Sequence, residues 1–170
     1  MTGSDTDITE RKQAEEKLLY DALHDKLTGL PNRALFMDSI TQSIRRGERN
    51  PNYRFCVICF DLDRFKIIND SLGHACGDRL IKEIGIRCSS FLRDSDMARY
   101  SGVLARWGGD EFAILLEDVR DENHACDIAD RLQADINRPI ILDDYEVIST
   151  ISIGIVHSEL NYDHPEDLMR

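Results

Sequence analysis

Two short acidic clusters carry most of the chemistry open to this sequence, Asp61-Leu-Asp63 and Asp110-Glu111. The first closes an apolar run that reads as a strand, and the second sits in a polar turn between two such runs. Both are expected at sheet ends, where side chains can meet a ligand without loss of the backbone ladder. If the first strand lies beside that turn, three or four carboxylates converge on one point. Unpaired carboxylates at close range repel, a divalent cation relieves the repulsion, and all-oxygen ligation favours magnesium or manganese over zinc. Gly108 and Gly109 permit a tight turn and close approach of a bulky ligand. An ordinary Gly-Gly turn with solvated acids fits the same spacing. Lys66 adds a cation suited to a metal-bridged polyphosphate. Asn69 and Asp78 offer the amide and carboxylate that can read a guanine edge, or that cap flanking helices.

The elements that must position these residues follow from periodicity. Asp7 to about Leu23 is charged and helix-favouring, with Ala14, Leu18, Ala22 and Leu23 along one side. The turn Leu27-Thr-Gly-Leu-Pro-Asn-Arg33 stops it, and a second helix with Leu35, Phe36, Ile40 and Ile44 on one face ends near Gly47. Phe55 to Leu62 is a buried strand, Lys66 to Gly77 is too mixed to assign, and Leu80, Ile81, Ile84, Cys88, Phe91 and Leu92 pattern a helix from about Asp78. Val103–Trp107 and Phe112–Leu116 predict a hairpin with Gly108-Gly-Asp-Glu111 at its tip. Another helix spans Ala125 to Ile136, then a short strand Ile140–Leu142 and one long strand from Val147 to Val156. Strands separated by helices, with one hairpin in the middle, describe an α/β fold of the α+β sandwich kind.

The chain has 170 residues, 42% of them hydrophobic, enough for one core. A formal charge of -11 argues against a DNA- or RNA-binding surface, which needs clustered cations. The five cysteines (Cys56, Cys59, Cys76, Cys88, Cys126) are an odd set in mostly apolar surroundings and read as reduced, packed thiols, which favours a cytoplasmic location. Cys56 and Cys59 fall on opposite faces of a strand, against a zinc or redox pair. No apolar stretch approaches the roughly twenty residues that span a bilayer, so no membrane contact is expected of this segment.

Four motifs in order resemble one family. Gly108-Gly-Asp-Glu-Phe112 matches the GGDEF signature, and Asp25-Lys-Leu-Thr-Gly-Leu-Pro-Asn-Arg33 resembles its D-x-L-T-G-L-P-N-R entrance. Phe60-Asp-Leu-Asp-Arg-Phe-Lys66 with Asn69-Asp70 resembles its D-x-D-x-F-K-x-x-N-D block, continued by Gly73-His74 and Gly77-Asp78. The resemblance to diguanylate cyclases implies a palm-like fold shared with adenylyl cyclases, with a mainly antiparallel sheet flanked by helices. It implies a signalling helix over residues 1–24 and the GGDEF domain over 25–170. It implies metal ligation by Asp61, the Leu62 carbonyl and Asp110, with support from Glu111, and guanine-nucleotide binding by Asn69, His74 and Asp78. Lys66 would stabilise phosphate charge, Phe65 would lend backbone contacts, and Asp110 is the family's proposed proton acceptor. The implied reaction joins two GTP molecules into cyclic di-GMP. The resemblance further implies that each domain binds one GTP, so that catalysis requires two domains facing each other.

The run Asp7 to Lys17 resembles the segment between a PAS sensor and a GGDEF domain, which implies a piece of a longer signalling protein. Two departures stand out. Arg93-Asp-Ser-Asp96 has the residue types of the family's R-x-x-D product-inhibition site but lies about six residues early, while the family spacing falls on Arg99 and Gly102. The chain also stops at Arg170, where the family continues into a helix bearing basic residues. The alternative is a catalytically silent GTP-binding module controlling an adjoining EAL phosphodiesterase domain. A ligand-free dimerising linker is disfavoured by Asp61, Asp78 and Asp110, and ATP as substrate by Asp78.

Overall fold

The strand β1, Phe55–Leu62, forms where alternation places it, and its two faces organise the rest. Cys56, Ile58, Phe60 and Leu62 join one core cluster with side chains of two long helices, α4 (His74–Arg93) and α5 (Glu122–Ile136). Phe55, Val57 and Cys59 pack on the other side with Phe36 and Ile40 of α2 (Arg33–Arg49). The sheet is thus covered on both faces by helices, as a strand apolar on both sides demands. In this computed structural model, residues 3–94, 97, 100–158 and 164–169 are described.

The main sheet has four strands in the order β2-β3-β1-β6, with β2 at Gly102–Gly108, β3 at Glu111–Glu117 and β6 at Ile151–His157. Every pairing is antiparallel. The palm-like, mainly antiparallel α/β architecture expected from the sequence is therefore the one found. The segment left unassigned folds as α3, Phe65–Leu72, and α4 begins at His74 rather than near Asp78. Gly73, at φ 87, breaks the two helices apart. Their polar outward residues had hidden a helical period that only the tertiary corner completes.

The long C-terminal strand is instead two. Val147 belongs to β5 (Tyr145–Val147), which pairs with β4 (Ile140–Leu142) in a separate two-stranded sheet. Residues 148–150 cross to β6 without a ladder. Alternation continues through the crossing, with Val147, Ser149 and Ile151 all buried, so the pattern carries no mark of the change of partner. The first helix, α1, runs Gly3–Leu23 and leaves Leu18, Leu19 and Tyr20 exposed. A last short helix, α6, covers Pro165–Leu168. None of the described helices is long and apolar enough to cross a membrane.

Candidate active site at the hairpin tip

Two-residue hairpins favour a left-handed residue in the turn, and Gly109 supplies it at φ 52. Gly108 and Glu111 are already in the strands, so the loop is only Gly109-Asp110, and a register shift between Arg106 and Gly108 bends the tip. Because β3 pairs with β1, Asp61 and Glu111 face each other directly across the ladder. The Leu62 N–H donates to the Asp110 carbonyl at 3.3 Å, drawing the tip over the end of β1. Like charges directly opposite on neighbouring strands destabilise a sheet, and no described ion pair relieves these. Asp61 and Glu111 line an open groove of about 400 Å³ together with Trp107, Ser152, Gly154 and Met169. The Cys59 thiol also lines it, pushed up to about 11 by burial and by the Glu111 charge.

The oxygen donors Asp61, Leu62, Asp110 and Glu111 suit a hard divalent cation. The expected convergence is looser than spacing alone suggested. Among the described residues no three acidic, histidine or cysteine side chains are gathered closely enough to hold an ion. Asp63 does not join the cluster, because its two carboxylate oxygens accept from Thr150 Oγ1 and Ser152 Oγ, each at 2.6 Å.

The residues expected to read the nucleotide assemble at the α3–α4 corner. Asn69 Oδ1 is buried without a hydrogen-bond partner. It lies where a Cβ on Gly77 would stand, 1.8 Å from that position, with the Phe65 ring 3.2 Å away. A side chain at 77 would therefore displace the amide packed against it. His74 and Asp78 are exposed and four residues apart on α4, hence on one face. Asp78 lies beyond the first turn of α4 and does not cap it. Phe65 and Lys66 open α3, whose N-terminus has no side-chain cap, leaving its first N–H groups available to an anion. Arg93 ends α4 exposed, whereas Asp96 and Arg99 lie outside the described residues.

A family model described as diguanylate cyclase, GGDEF domain, matches residues 22–170. The chain belongs to the GGDEF domain family. It is 40% identical over 153 residues to the diguanylate cyclase TpbB of Pseudomonas aeruginosa, covering 89% of this chain and 34% of that relative. It is 40% identical over 147 residues to MucR, a bifunctional diguanylate cyclase/cyclic di-GMP phosphodiesterase of the same species, covering 86% of this chain and 20% of MucR. It thus spans about a third or less of these relatives' length. The solved GGDEF domain of TpbB superposes with a TM-score of 0.76 at 39% identity, covering 86% of this chain and 81% of that one.

Sequence reasoning missed the residue that ties the GGDEF hairpin to the entrance motif. Arg106, in β2, donates from Nη1 to both Asp25 oxygens at 3.0 and 3.1 Å, and from Nε and Nη2 to the Gly109 carbonyl at 3.0 and 2.7 Å. Its own N–H donates to the Pro31 carbonyl at 3.0 Å. Asp25 also accepts from the Thr28 N–H and hydroxyl, both at 2.8 Å. Burial alone would raise the Asp25 pKa, but Thr28 and Arg106 outweigh it and hold the carboxyl below its ordinary value. The rest of the motif serves the same junction. Asn32 caps α2 by accepting from the Leu35 N–H and donates to the Ala22 carbonyl, while Arg33 lies 4.6 Å over the Trp107 ring. An arginine inside an otherwise apolar strand was the available signal, since such a charge needs a partner.

Proposed function

We propose that this GGDEF domain is a diguanylate cyclase that joins two GTP molecules into cyclic di-GMP, releasing two pyrophosphates. The observation that carries the reading is the pairing of Asp61 with Glu111 across β1 and β3, with Asp110 held to Leu62 beside them. Asp61, the Leu62 carbonyl, Asp110 and Glu111 would hold magnesium or manganese, and the substrate phosphates would complete the set. The ion would supply neutralisation of phosphate charge. Asn69 would offer its unpartnered oxygen to a guanine donor, and Asp78 and His74 would take further polar groups of the nucleotide. Lys66 and the open N–H groups of α3 would orient and stabilise the phosphates, with Phe65 seating the backbone there.

In each of two equivalent steps, the 3′-oxygen of one GTP bonds to the α-phosphorus of the other. The bond to the β-phosphate bridging oxygen breaks, and pyrophosphate leaves. The 3′-hydroxyl proton is assigned to Asp110. Because one domain holds one GTP, two domains must face each other, and positioning across that pair is the main rate contribution. We assign residues 1–24 as the signalling helix and 25–170 as the catalytic domain, downstream of a PAS sensor and in the cytoplasm. The free thiols support that location. Arg93 with Asp96 is proposed as a displaced product-inhibition site.

The test is turnover of GTP with magnesium, with products separated by chromatography and Asp110→Ala as control. Cyclic di-GMP from the wild type and none from the control is the expected result. Tight GTP binding without product, in this chain and in one extended past Arg170, would replace the cyclase with a regulatory module. Such a module would control an adjoining EAL phosphodiesterase domain.

A further inference from the structure

We propose that Asp63 is a positioning residue that sets the end of β1, and through it the metal and phosphate groups, by anchoring to two hydroxyls at the entrance to the neighbouring strand β6. The inference rests on the cyclase reading of the same site. By type and spacing Asp63 looks like a third metal ligand, since it follows Asp61 by two residues. The structure engages both of its oxygens elsewhere. Oδ2 accepts from Thr150 Oγ1 and Oδ1 from Ser152 Oγ, both at 2.6 Å, and the Asp63 N–H donates to the Thr150 carbonyl at 2.9 Å. Short bonds of a hydroxyl to an ionised carboxylate are the strong kind, and these two hold the Asp63 carboxyl below its ordinary pKa.

The need for such an anchor lies in the next residue. Arg64 stands at φ 59, ψ 23, a left-handed conformation that side chains other than glycine adopt at a cost. That single reversal turns the chain from β1 into α3. It therefore fixes where the N-terminus of α3, with Phe65 and Lys66, begins, while the Leu62 carbonyl, in the same planar peptide unit as the Asp63 N–H, is oriented by that N–H's bond to Thr150. Strain of this kind persists only where the surroundings hold it. On one side the end of β1 is held by the Leu62 N–H to the Asp110 carbonyl, and on the other by three Asp63 bonds, two to Thr150 just before β6 and one to Ser152 within it. The anchor also orients Ser152. Ser152 is the register partner of Asp61 and lines the same groove as Asp61 and Glu111. With its proton donated to Asp63, its oxygen keeps only acceptor lone pairs for that groove.

The mechanism predicts a change in metal dependence more than in folding. Binding of the α-thio analogue of GTP is measured by calorimetry at stepped magnesium concentrations for the wild type, Asp63→Asn, Thr150→Val and Ser152→Ala, with thermal midpoints alongside. Asp63→Asn is expected to raise the magnesium needed for half-maximal binding about tenfold, the size typical of groups that orient metal ligands. Each hydroxyl deletion should raise it about threefold, and Thr150→Ser, which keeps the hydroxyl, should return it to the wild-type value. A purely structural role would lower the thermal midpoint and leave the magnesium dependence unmoved. Unchanged magnesium dependence in Asp63→Asn and in both hydroxyl deletions would overturn the inference alone. A wild type that binds no analogue with magnesium would overturn the cyclase reading and this inference together. Should Asp63→Asn fail to fold, the Thr150 and Ser152 variants decide the matter.

Discussion

Replacing Arg106 by alanine removes a side chain that joins the entrance loop to the GGDEF turn. Two of its bonds run to the Asp25 carboxylate and two to the Gly109 carbonyl. A hydrogen bond between charged partners contributes about 1.5 kcal/mol or more net, and a bond to a carbonyl about 1 kcal/mol. The Arg106 and Asp25 side chains are only 15% and 21% exposed, so solvent screening is modest. Opposing this, Asp25 keeps both bonds from Thr28 and is not left bare, which holds the loss below the 3–5 kcal/mol of a fully buried broken pair. The expected cost is about 2 kcal/mol, or roughly 4–8 °C of thermal midpoint for a chain of this size. Urea unfolding should give a lower midpoint at unchanged slope. Arg106→Lys should recover less than half, because one ammonium cannot hold a carboxylate and a carbonyl in the same fork. A double-mutant cycle with Asp25→Ala should return about 1 kcal/mol of coupling. A loss under about 0.5 kcal/mol, or strict additivity in the cycle, would refute the view that this pair fixes the hairpin.

Two further outcomes follow from the same geometry. Gly77→Ala places a methyl on the Asn69 oxygen, which is the free end of a side chain and can swing away. Stability should therefore stay within about 1 kcal/mol, helped by the better helix propensity of alanine, while GTP affinity measured by calorimetry should fall about tenfold for one lost guanine contact. Acid should remove part of the Asp25 contribution. Its folded pKa lies below the unfolded value, so the contribution is complete above about pH 4 and is lost as pH falls through the folded value. Urea midpoints from pH 6 down to pH 3 should thus fall more steeply for the wild type than for Asp25→Ala.

The strand β1, the hairpin and the amphipathic α5 were legible from sequence because each is a local pattern: a double-faced apolar run, two runs around a Gly-Gly turn, and a helical stripe. Asp61, Lys66, Asn69, Asp78, Asp110 and Glu111 could be singled out as candidates by residue type and by the motifs they form, although an acid or amide at an element end can equally be a helix cap. What pairs with what was not. That Asp61 meets Glu111 depends on the β1–β3 register. The close approach at Gly77 depends on an amide from a different helix, and the break after Val147 depends on which strand each half joins. Asp63 is the sharpest case. Spacing placed it in the acidic cluster beside Asp61, the family resemblance left it without a role, and only the structure shows its oxygens engaged by the hydroxyls of Thr150 and Ser152. Local sequence determines the conformations a segment prefers and the chemistry it carries. The partner each carboxylate finds is a property of strands distant in the chain, and is settled only when the sheet closes around them.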